Sequence, residues 1–496
     1  MESRGRLQSE PGKEYRDIVI RHEATELGKD SFDPLLELNI AHVLMLYKQK
    51  LLPRASAEKL LTVLREIWQN GLECLDTSHV EDLYFALEKK VFEAVDIKQA
   101  GNLHLGRSRN DLYHTVYKMI LRDKIIDLLG KIIDFSKKEV DLAGTHLDTV
   151  MPGYTHTQHA QPITLGYYLL GFSQAICRDV ERFRNALRFV NESPLGAAAL
   201  STTSHPLDRA YTAELLGFDS FTYNAYDAIS GRDYLNDAAT AICTYATNLS
   251  RIADDFLTWN TFEFGFLELS DDFTVISSIM PQKKNASSLE FVRSASSWIL
   301  GDTFAVLSAA KGVTYSDIKD AAKYNYSPLW HSFEIASDIT LLFSAFLPKI
   351  RWNTERMLKV TREGYSTMTD LADYIVGRFG LTFREAHHVV ALFVKESISM
   401  NAAEPDAGIL NDVAAKQGCK FDISPDELKK VLDPKECLGR KNVAGGTSPA
   451  EMNKMWMESE RKLAEFRNWH KGLSENLKTV RAKLFNWEEE IGKLNP

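Results

Sequence analysis

The chain is poor in the residues and patterns that interrupt helices or build sheets. It has only 15 prolines in 496 residues, long stretches contain no glycine, and the alternation of apolar and polar residues that marks a half-buried strand is scarce. There is no internal repeat and no low-complexity tract. These absences argue against a β-rich protein and predict a mainly all-α fold.

Cysteine is also scarce, and its distribution argues against clustered thiols. The five cysteines are odd in number and form no C-x-x-C pair; they are Cys74, Cys177, Cys243, Cys419 and Cys437. Reduced thiols, and therefore a cytoplasmic location, are expected. No apolar run approaches membrane-spanning length, and the polar start of the chain lacks the apolar segment of a secretory signal.

The sequence also lacks the features of nucleotide-cofactor enzymes and of nucleic-acid-binding proteins. No GxGxxG or Walker-type sequence is present, so no nucleotide cofactor is indicated. The formal net charge of -9 argues against nucleic acid as the main partner, because phosphate binding requires clustered Lys and Arg. A small anionic substrate remains compatible with this charge, since a local basic cluster can oppose the global balance.

Helical periodicity is what the chain has in abundance. Apolar residues recur at helical spacing over 235–257, and similar patterns cover about 111–142, 163–190 and 286–311. Helices of this length usually pack as bundles, and the chain is too long for one compact core. The predicted organisation is an N-terminal helical domain at 1–105, a central long-helix bundle with a catalytic loop at 106–356, and a C-terminal helical domain at 357–496.

The most distinctive segment is SSIMPQKKN at 277–285. A serine takes a proton only when nearby cations and donors stabilise its alkoxide and water is excluded. Lys283 and Asn285 supply both kinds of group, and they are equally suited to hold the carboxylate of a substrate that loses a proton from the adjacent carbon. A solvated basic turn is the simpler alternative for a shorter stretch, but the whole segment predicts a catalytic loop.

A second polar cluster, HLGRSRND at 104–111, stands where a helical pattern begins. The unpaired N–H groups of a helix N-terminus, together with Ser108, Arg109 and Asn110, would form a carboxylate cradle. Ser, Asn and Asp are also common N-caps. From the residues alone, both interpretations stay open.

A third cluster, PGYTHTQHAQP at 152–162, contains His156 and His159. Their spacing is compatible with a shared metal, but no nearby carboxylate or cysteine completes a ligand set. Proton transfer near a hydroxyl suits a histidine better, and Glu290 would orient such an imidazole if the fold brings them together. His387 and His388 lie in a helical pattern and are interpreted as packed or surface histidines.

Together, the three clusters resemble the signature regions of argininosuccinate lyase, a family of the fumarase/aspartase superfamily. The likeness continues through Asp233, EFGFL at 263–267, TDLADY at 369–374 and REAHH at 384–388. It implies a three-domain fold whose long central helices form a twenty-helix core in a homotetramer, with each active site collected from three subunits. It also implies a carbon–nitrogen lyase that reversibly releases fumarate and needs no metal or organic cofactor.

The resemblance further implies roles for individual residues. Ser277 would remove the Cβ proton of the succinyl group, and Lys283 and Asn285 would stabilise the resulting aci-carboxylate. His156, oriented by Glu290, would assist through charge or proton supply. The residues implied to hold the substrate are Ser108, Arg109, Asn110, Thr155, Ser278, Met280, Asn285, Tyr315 and Lys323.

The sequence departs from the family pattern where the family recognises arginine. In an ungapped register, Ala24 and Gly28 replace a Ser and an Asp, and Leu112 replaces a Gln. Asp317 and Asp320 stand where Lys and Gln are usual, and Ala-Ser at 286–287 replaces Pro-Asp. The residues expected to form fumarate match the family pattern, whereas several residues expected to hold the amine differ from it.

These departures predict an N-substituted L-aspartate other than argininosuccinate as the substrate. Ethylenediamine-N,N'-disuccinate or a similar aminopolycarboxylate is the first expectation, with Arg16, Arg21 and Lys29 available for its additional carboxylates. Asp317 and Asp320 would instead favour a cationic amine. Argininosuccinate is the main alternative. An inactive, crystallin-like structural protein is the alternative of another class, against which the intact proton-transfer residues argue.

Overall fold

The computed structural model describes residues 12–20, 28–77, 80–318, 326–402 and 404–494. Helices dominate these ranges and the strands are short, which confirms the mainly all-α prediction. The expectations for Arg21, Ala24, Asp320 and Lys323 lie outside the described residues, and so do those for the surroundings of Gly28 and the side chain of Lys29.

Five long helices form the centre of the fold. They are α1 (Arg109–Thr145), α2 (Leu165–Val190), α3 (Asp233–Trp259), α4 (Ser287–Ala310) and α5 (Tyr326–Phe346). The first four coincide with the four periodic segments of the sequence. Their apolar faces share one core, in which the ring centroids of Phe256 and Phe343 lie 5.8 Å apart. Removal of these apolar surfaces from water is the main term that stabilises the bundle.

Successive bundle helices alternate in direction. α2 begins beside the end of α1, where the Gly166 backbone N–H donates to the His146 carbonyl at 3.0 Å. α5 begins near the start of α1, since the rings of Tyr117 and Tyr326 lie 4.2 Å apart. The hydroxyls of Tyr326 and Tyr234 are 2.7 Å apart, which places the start of α3 at the same end.

The bundle therefore has two ends, named here after the termini of α1. α4 finishes at the 109 end, where the Thr303 hydroxyl donates to the Ala239 carbonyl at 3.2 Å, so it begins at the opposite, 145 end. α1 has 37 residues, and at 1.5 Å per residue the two ends are roughly 55 Å apart.

Further helices surround the bundle. α6 (Pro449–Phe485) returns along α1, where the Trp456 indole N–H donates to the Val140 carbonyl at 3.3 Å. Other helices of the N-terminal part and of the bundle's connections are Lys13–Tyr15, Arg16–Ile20 (π), Gly28–Lys48, Arg54–Asn70, Leu72–Cys74 (3-10), Leu83–Ala94, Ile97–Ala100, Gly101–His104 (3-10), Arg209–Leu215, Ala225–Ser230, Asp271–Phe273 (3-10) and Leu347–Lys349 (3-10).

A second, smaller core follows the bundle in sequence. Leu371, Phe393 and Leu410 are among its buried residues. The three domain boundaries stay a prediction; the packing adds that α6, which lies beyond residue 357, shares the core of the bundle. The remaining helices of this C-terminal part are Thr354–Glu363, Met368–Phe379, Phe383–Ser399, Ala407–Lys416, Pro425–Val431, Pro434–Arg440 and Trp487–Lys493.

Within the described residues, β-structure is limited to two-stranded pairs. β1 (Val150–Thr155) and β2 (Gln158–Thr164) form an antiparallel hairpin, and β3 (Val275–Ile276) pairs antiparallel with β4 (Lys284–Asn285). The sequence did not predict the β1–β2 hairpin. The other pairs are Glu192–Ser193 with Ser220–Phe221, parallel, and Leu267–Glu268 with Arg351–Trp352, antiparallel.

No described helix has the length and apolarity needed to cross a membrane.

Candidate active site

The SSIMPQKKN segment forms the loop of a short hairpin at the 145 end of the bundle. At its base the Ser277 backbone N–H donates to the Lys283 carbonyl at 3.2 Å. The Ser288 hydroxyl, on the first turn of α4, donates to the Phe273 carbonyl at 2.9 Å and ties the hairpin to the bundle. Ile279 at the loop tip is 83% exposed. The loop therefore projects from a fixed base, as a segment that closes over a substrate must.

Ser277 has the surroundings expected of a serine that takes a proton. Its Oγ accepts hydrogen bonds from the backbone nitrogens of Met280 at 3.0 Å and Ile279 at 3.3 Å. Backbone donors aimed at an oxygen stabilise negative charge on it. The loop itself thus supplies two of the donors that an alkoxide at Ser277 needs.

The two lysines of the loop have different surroundings. Lys284 Nζ lies 3.0 Å from Glu268 Oε1 and 2.6 Å from Asp271 Oδ1. The Lys283 side chain is exposed at the loop. Lys284 therefore holds the hairpin base, and Lys283 is the cation presented near Ser277.

His156 and Thr157 are the central residues of the turn that joins β1 and β2. Their φ angles are +52° and +59°, and Thr155 pairs with Gln158 on either side. Two positive φ angles define a type I′ turn, in which Asn-Gly is usual. A β-branched residue is strained there. This turn presents Thr155 and His156 outward at the 145 end, where both are exposed.

His159 anchors the hairpin instead of joining His156 in a site. Its Nε2 lies 3.3 Å from the Tyr154 hydroxyl, and its ring packs so closely on Gly364 that a Cβ there would collide with it. No group of three or more metal-ligating side chains occurs in the described part of the chain. His387 and His388 are exposed surface residues of their helix.

Ser108 is the N-cap of α1 at the 109 end. Its Oγ accepts from the Asn110 backbone N–H at 3.2 Å, and its own backbone N–H donates to Asp111 Oδ1 at 2.8 Å, which completes a capping box. The N-cap interpretation is therefore confirmed. It does not conflict with a carboxylate cradle, since a capped helix start still concentrates donors and positive partial charge.

Asp111 is a positioning residue that the sequence analysis did not select. It is fully buried and accepts from the backbone nitrogens of Gly196 at 2.9 Å and Ala198 at 3.0 Å. Burial raises its pKa to about 6. The contacts fasten the loop after α2 across the start of α1, where Asn110 Nδ2 donates to the Ala199 carbonyl at 3.3 Å. The capping-box spacing of Ser108 and Asp111 was the available signal.

Arg109 is held by acidic residues of the same chain. Its Nη1 lies 2.8 Å from Asp82 Oδ2 and 3.2 Å from Glu81 Oε2, and the guanidinium carbon lies 4.6 Å from the Phe85 ring centroid. A guanidinium has five donors, so this anchoring fixes its direction and is compatible with carboxylate binding.

Two residues of the predicted amine side lie at the 109 end as well. The Tyr315 hydroxyl donates to Asp227, and this hydrogen bond raises the Tyr315 pKa to about 12. Leu112, which stands where the family has Gln, is fully buried in the bundle core. Lys323 lies outside the described residues.

The structure divides the predicted site between the two ends of the bundle. Ser277, Lys283, His156 and Glu290 lie at the 145 end. The Ser108–Asn110 cradle and Tyr315 lie at the 109 end, roughly 55 Å away along α1 by helical rise. One chain alone therefore does not bring the predicted groups together, and the described contacts do not join Glu290 to His156.

Comparisons with known proteins agree with this arrangement of motifs. A family model described as "Lyase" matches residues 46–301, and one described as "Argininosuccinate lyase C-terminal" matches residues 365–439. Argininosuccinate lyase of Methanothermobacter thermautotrophicus is 36% identical over 441 residues, which cover 87% of this chain and 94% of the relative. The chain belongs to the argininosuccinate lyase family.

Solved structures extend the relationship. EDDS lyase in complex with formate has a TM-score of 0.87 and 30% identity, covering 97% of this chain and 96% of that one. Class II fumarase from Schistosoma mansoni, at 16% identity, has a TM-score of 0.69 over 85% of this chain and 92% of that one and so shares the fold. This member of the argininosuccinate lyase family is a carbon–nitrogen lyase that releases fumarate, of the argininosuccinate lyase and EDDS lyase type.

Proposed function

We propose that the protein eliminates fumarate from an N-substituted L-aspartate by abstracting a proton from Cβ. Ser277, as its alkoxide, takes that proton. The electron pair moves into the adjacent carboxylate, where Lys283 and Asn285 stabilise the aci-carboxylate. The C–N bond then breaks, its electron pair leaves with nitrogen, and His156, oriented by Glu290, supplies a proton or positive charge to the departing amine.

The environment of Ser277 carries this proposal. Two backbone N–H groups point at its Oγ. Lys284 is paired with Glu268 and Asp271, whereas the Lys283 side chain is exposed at the same loop. We assign the holding of the substrate to Ser108, Arg109, Asn110, Thr155, Ser278, Met280, Asn285, Tyr315 and Lys323.

We further propose that the active site is assembled from three subunits of a homotetramer. The separation of the two halves along α1 supports this, because it is much longer than any single substrate of this class. α4 supports it independently: Leu300 is 60% exposed, Phe304 73% and Leu307 37%. These residues share a face of the helix, and such an apolar stripe is expected to pack against other copies of the chain.

For the leaving amine, the comparisons favour arginine, which the sequence analysis kept as its main alternative. Relatives named argininosuccinate lyase match over nearly their whole length, so argininosuccinate is the first substrate to test. The aminopolycarboxylate ethylenediamine-N,N'-disuccinate is the second. It is supported by the likeness to EDDS lyase and by the altered residues of the amine side.

A direct comparison of the two substrates tests the proposal. The purified protein is given argininosuccinate or ethylenediamine-N,N'-disuccinate, fumarate is followed by its absorbance, and the amine is identified by mass spectrometry. A higher kcat/KM for argininosuccinate assigns arginine as the leaving amine, and the reverse order assigns the aminopolycarboxylate. Absence of turnover with both, and with fumarate plus a series of amines, would favour the crystallin-like structural protein.

A further inference from the structure

A cluster of charged residues joins the segment after α4 to the start of the bundle. Asp317 Oδ1 lies 3.1 Å from His114 Nε2 and 3.4 Å from Arg232 Nη2. His114 and Arg232 are 3% and 7% exposed, whereas the Asp317 side chain is 28% exposed. His114 Nε2 and Arg232 Nη2 also lie 2.5 Å apart, so Nε2 either donates to Asp317 or accepts from Arg232. The histidine and arginine together lie behind the carboxylate and hold it at the surface.

The buried members of this cluster have unmet hydrogen-bonding capacity. His114 Nδ1 and Arg232 Nε have no hydrogen-bond partner among the described residues. Burying a cation without a counter-charge is costly, and Asp317 supplies that charge for Arg232. The contacts of Asp317 with His114 Nε2 and Arg232 Nη2 hold its carboxylate at this place.

The cluster lies beside the carboxylate cradle. His114 follows Asn110 by four residues on α1, so the two side chains share a face of the helix and are one turn apart. Tyr315, two residues before Asp317, is bonded to Asp227. Among the described residues, Asp227 and Asp317 are exposed acids at this place, and the cation Arg232 is buried.

We propose that Asp317, positioned by His114, selects leaving amines that carry an additional positive charge. This rests on the proposed function and deepens it by naming the chemical class of the amine. The succinyl carboxylates occupy the donors at the start of α1, and the cationic group of the amine faces the acids one turn further along. An ammonium or guanidinium group at the far end of the amine is attracted to these carboxylates. An uncharged group at the same distance from the reacting nitrogen is not.

The test uses the addition of amines to fumarate by the intact protein. Linear diamines are compared with amino alcohols of the same length, so that one end reacts and the other end is charged or neutral. For the wild type we expect the KM for the diamine to be lower by about tenfold or more, the range of a charge-assisted hydrogen bond. Equal KM values for the two series in the wild type would overturn the proposal without any variant.

Three variants separate selection from folding. Asp317→Asn should remove most of the KM difference and leave the KM for fumarate unchanged. His114→Phe should have the same effect through loss of the hold on Asp317, and Asp317→Glu should retain part of the preference. Asp412→Asn is the matched control and should behave as wild type, because Asp412 is an exposed carboxylate on the helix Ala407–Lys416 of the C-terminal part.

The outcomes distinguish the two proposals. If the wild type adds no amine to fumarate, the proposed function fails. If it adds amines and Asp317→Asn keeps the wild-type preference, Asp317 is not the selector although the function stands. If Asp317→Asn or His114→Phe no longer forms the tetramer, Asp317→Glu takes its place. A smaller KM difference between diamine and amino alcohol in Asp317→Glu than in the wild type then supports Asp317 as the selector, and an unchanged difference contradicts it.

Discussion

Ser277 Oγ lies 3.0 Å from the backbone nitrogen of Met280, inside the loop that the two residues share. This hydrogen bond stabilises charge on the oxygen only while the loop keeps its turn. We predict that Ser277→Ala lowers kcat by about 10²- to 10⁴-fold, the usual contribution of a general base, with the assembly unchanged. Steady-state kinetics and size-exclusion chromatography measure the two quantities.

The neighbouring serine provides the control. Ser278 is proposed to hold the substrate, so Ser278→Ala should act mainly through KM. If Ser277→Ala kept wild-type kcat, another group would have to be the base.

Lys283 and Lys284 offer a matched pair of substitutions. Lys283→Met should lower kcat by about 10²- to 10³-fold, because it removes a cation that stabilises the aci-carboxylate. Lys284→Met removes two ion pairs at the hairpin base and should cause a much smaller loss of kcat, since exposed ion pairs contribute little. Equal losses in kcat would contradict the separate roles.

The separation of the site along α1 predicts complementation between inactive variants. Ser277→Ala removes a group at the 145 end, and Arg109→Ala removes one at the 109 end. Each alone should be inactive, but subunits mixed by co-expression should recover part of the wild-type activity, because some sites then contain neither substitution. The measurement is activity of the purified mixed assembly; a mixed assembly as inactive as its parents would place both groups in one chain's site.

The sequence identified the long helices because their apolar residues follow the period of an α-helix over many turns. It did not identify the hairpin at 150–164, whose two strands are short. Its type I′ turn is formed by His-Thr instead of Asn-Gly, so the usual local signal was missing. Tertiary contacts, such as that of His159 with Gly364, specify this element.

Recognition of the three motifs predicted the site residues and, through the family resemblance, a site shared between three subunits, but it gave no distance between the motifs within one chain. The spacing of Arg109 and His156 in sequence gives no distance until the intervening 37-residue helix is known to be continuous. The sequence also could not predict the ion pair between Arg232 and Asp317, because Asp317 lies 85 residues further along the chain. Such pairings depend on how helices pack and not on local patterns.

The burial of Glu139 predicts that the stability of the protein depends on pH. It is fully buried in α1, and its two carboxylate oxygens have no hydrogen-bond partner among the described residues. Burial raises its pKa well above the ordinary value of 4.5. The folded state therefore favours the protonated acid. The contribution of this protonation to the free energy of unfolding is complete below the pKa that Glu139 has in the unfolded chain, and it is lost as pH rises through the pKa of Glu139 in the folded protein.

Glu139→Leu should consequently stabilise the protein more at pH 8 than at pH 5. At pH 8 the gain should be roughly 1 to 3 kcal/mol, the usual cost of an unsatisfied buried polar group. Urea unfolding at several pH values measures it. Glu66→Leu, at an exposed position, should show no such trend, and a Glu139→Leu gain independent of pH would mean that the carboxyl does not titrate differently on folding.

Gly364 and His159 allow the hairpin to be displaced without changing any residue proposed to touch the substrate. A Cβ at residue 364 would collide with the His159 ring, so Gly364→Ala should shift the hairpin that carries Thr155 and His156. A shift of about 1 Å can lower turnover about 10²-fold. Gly377→Ala is the control, because its Cβ would meet nothing within 4 Å and alanine is favoured in a helix. Loss of kcat in the first variant alone, with both proteins equally assembled, would show that His159 sets the position of the turn; unchanged kcat would show that the turn is set elsewhere.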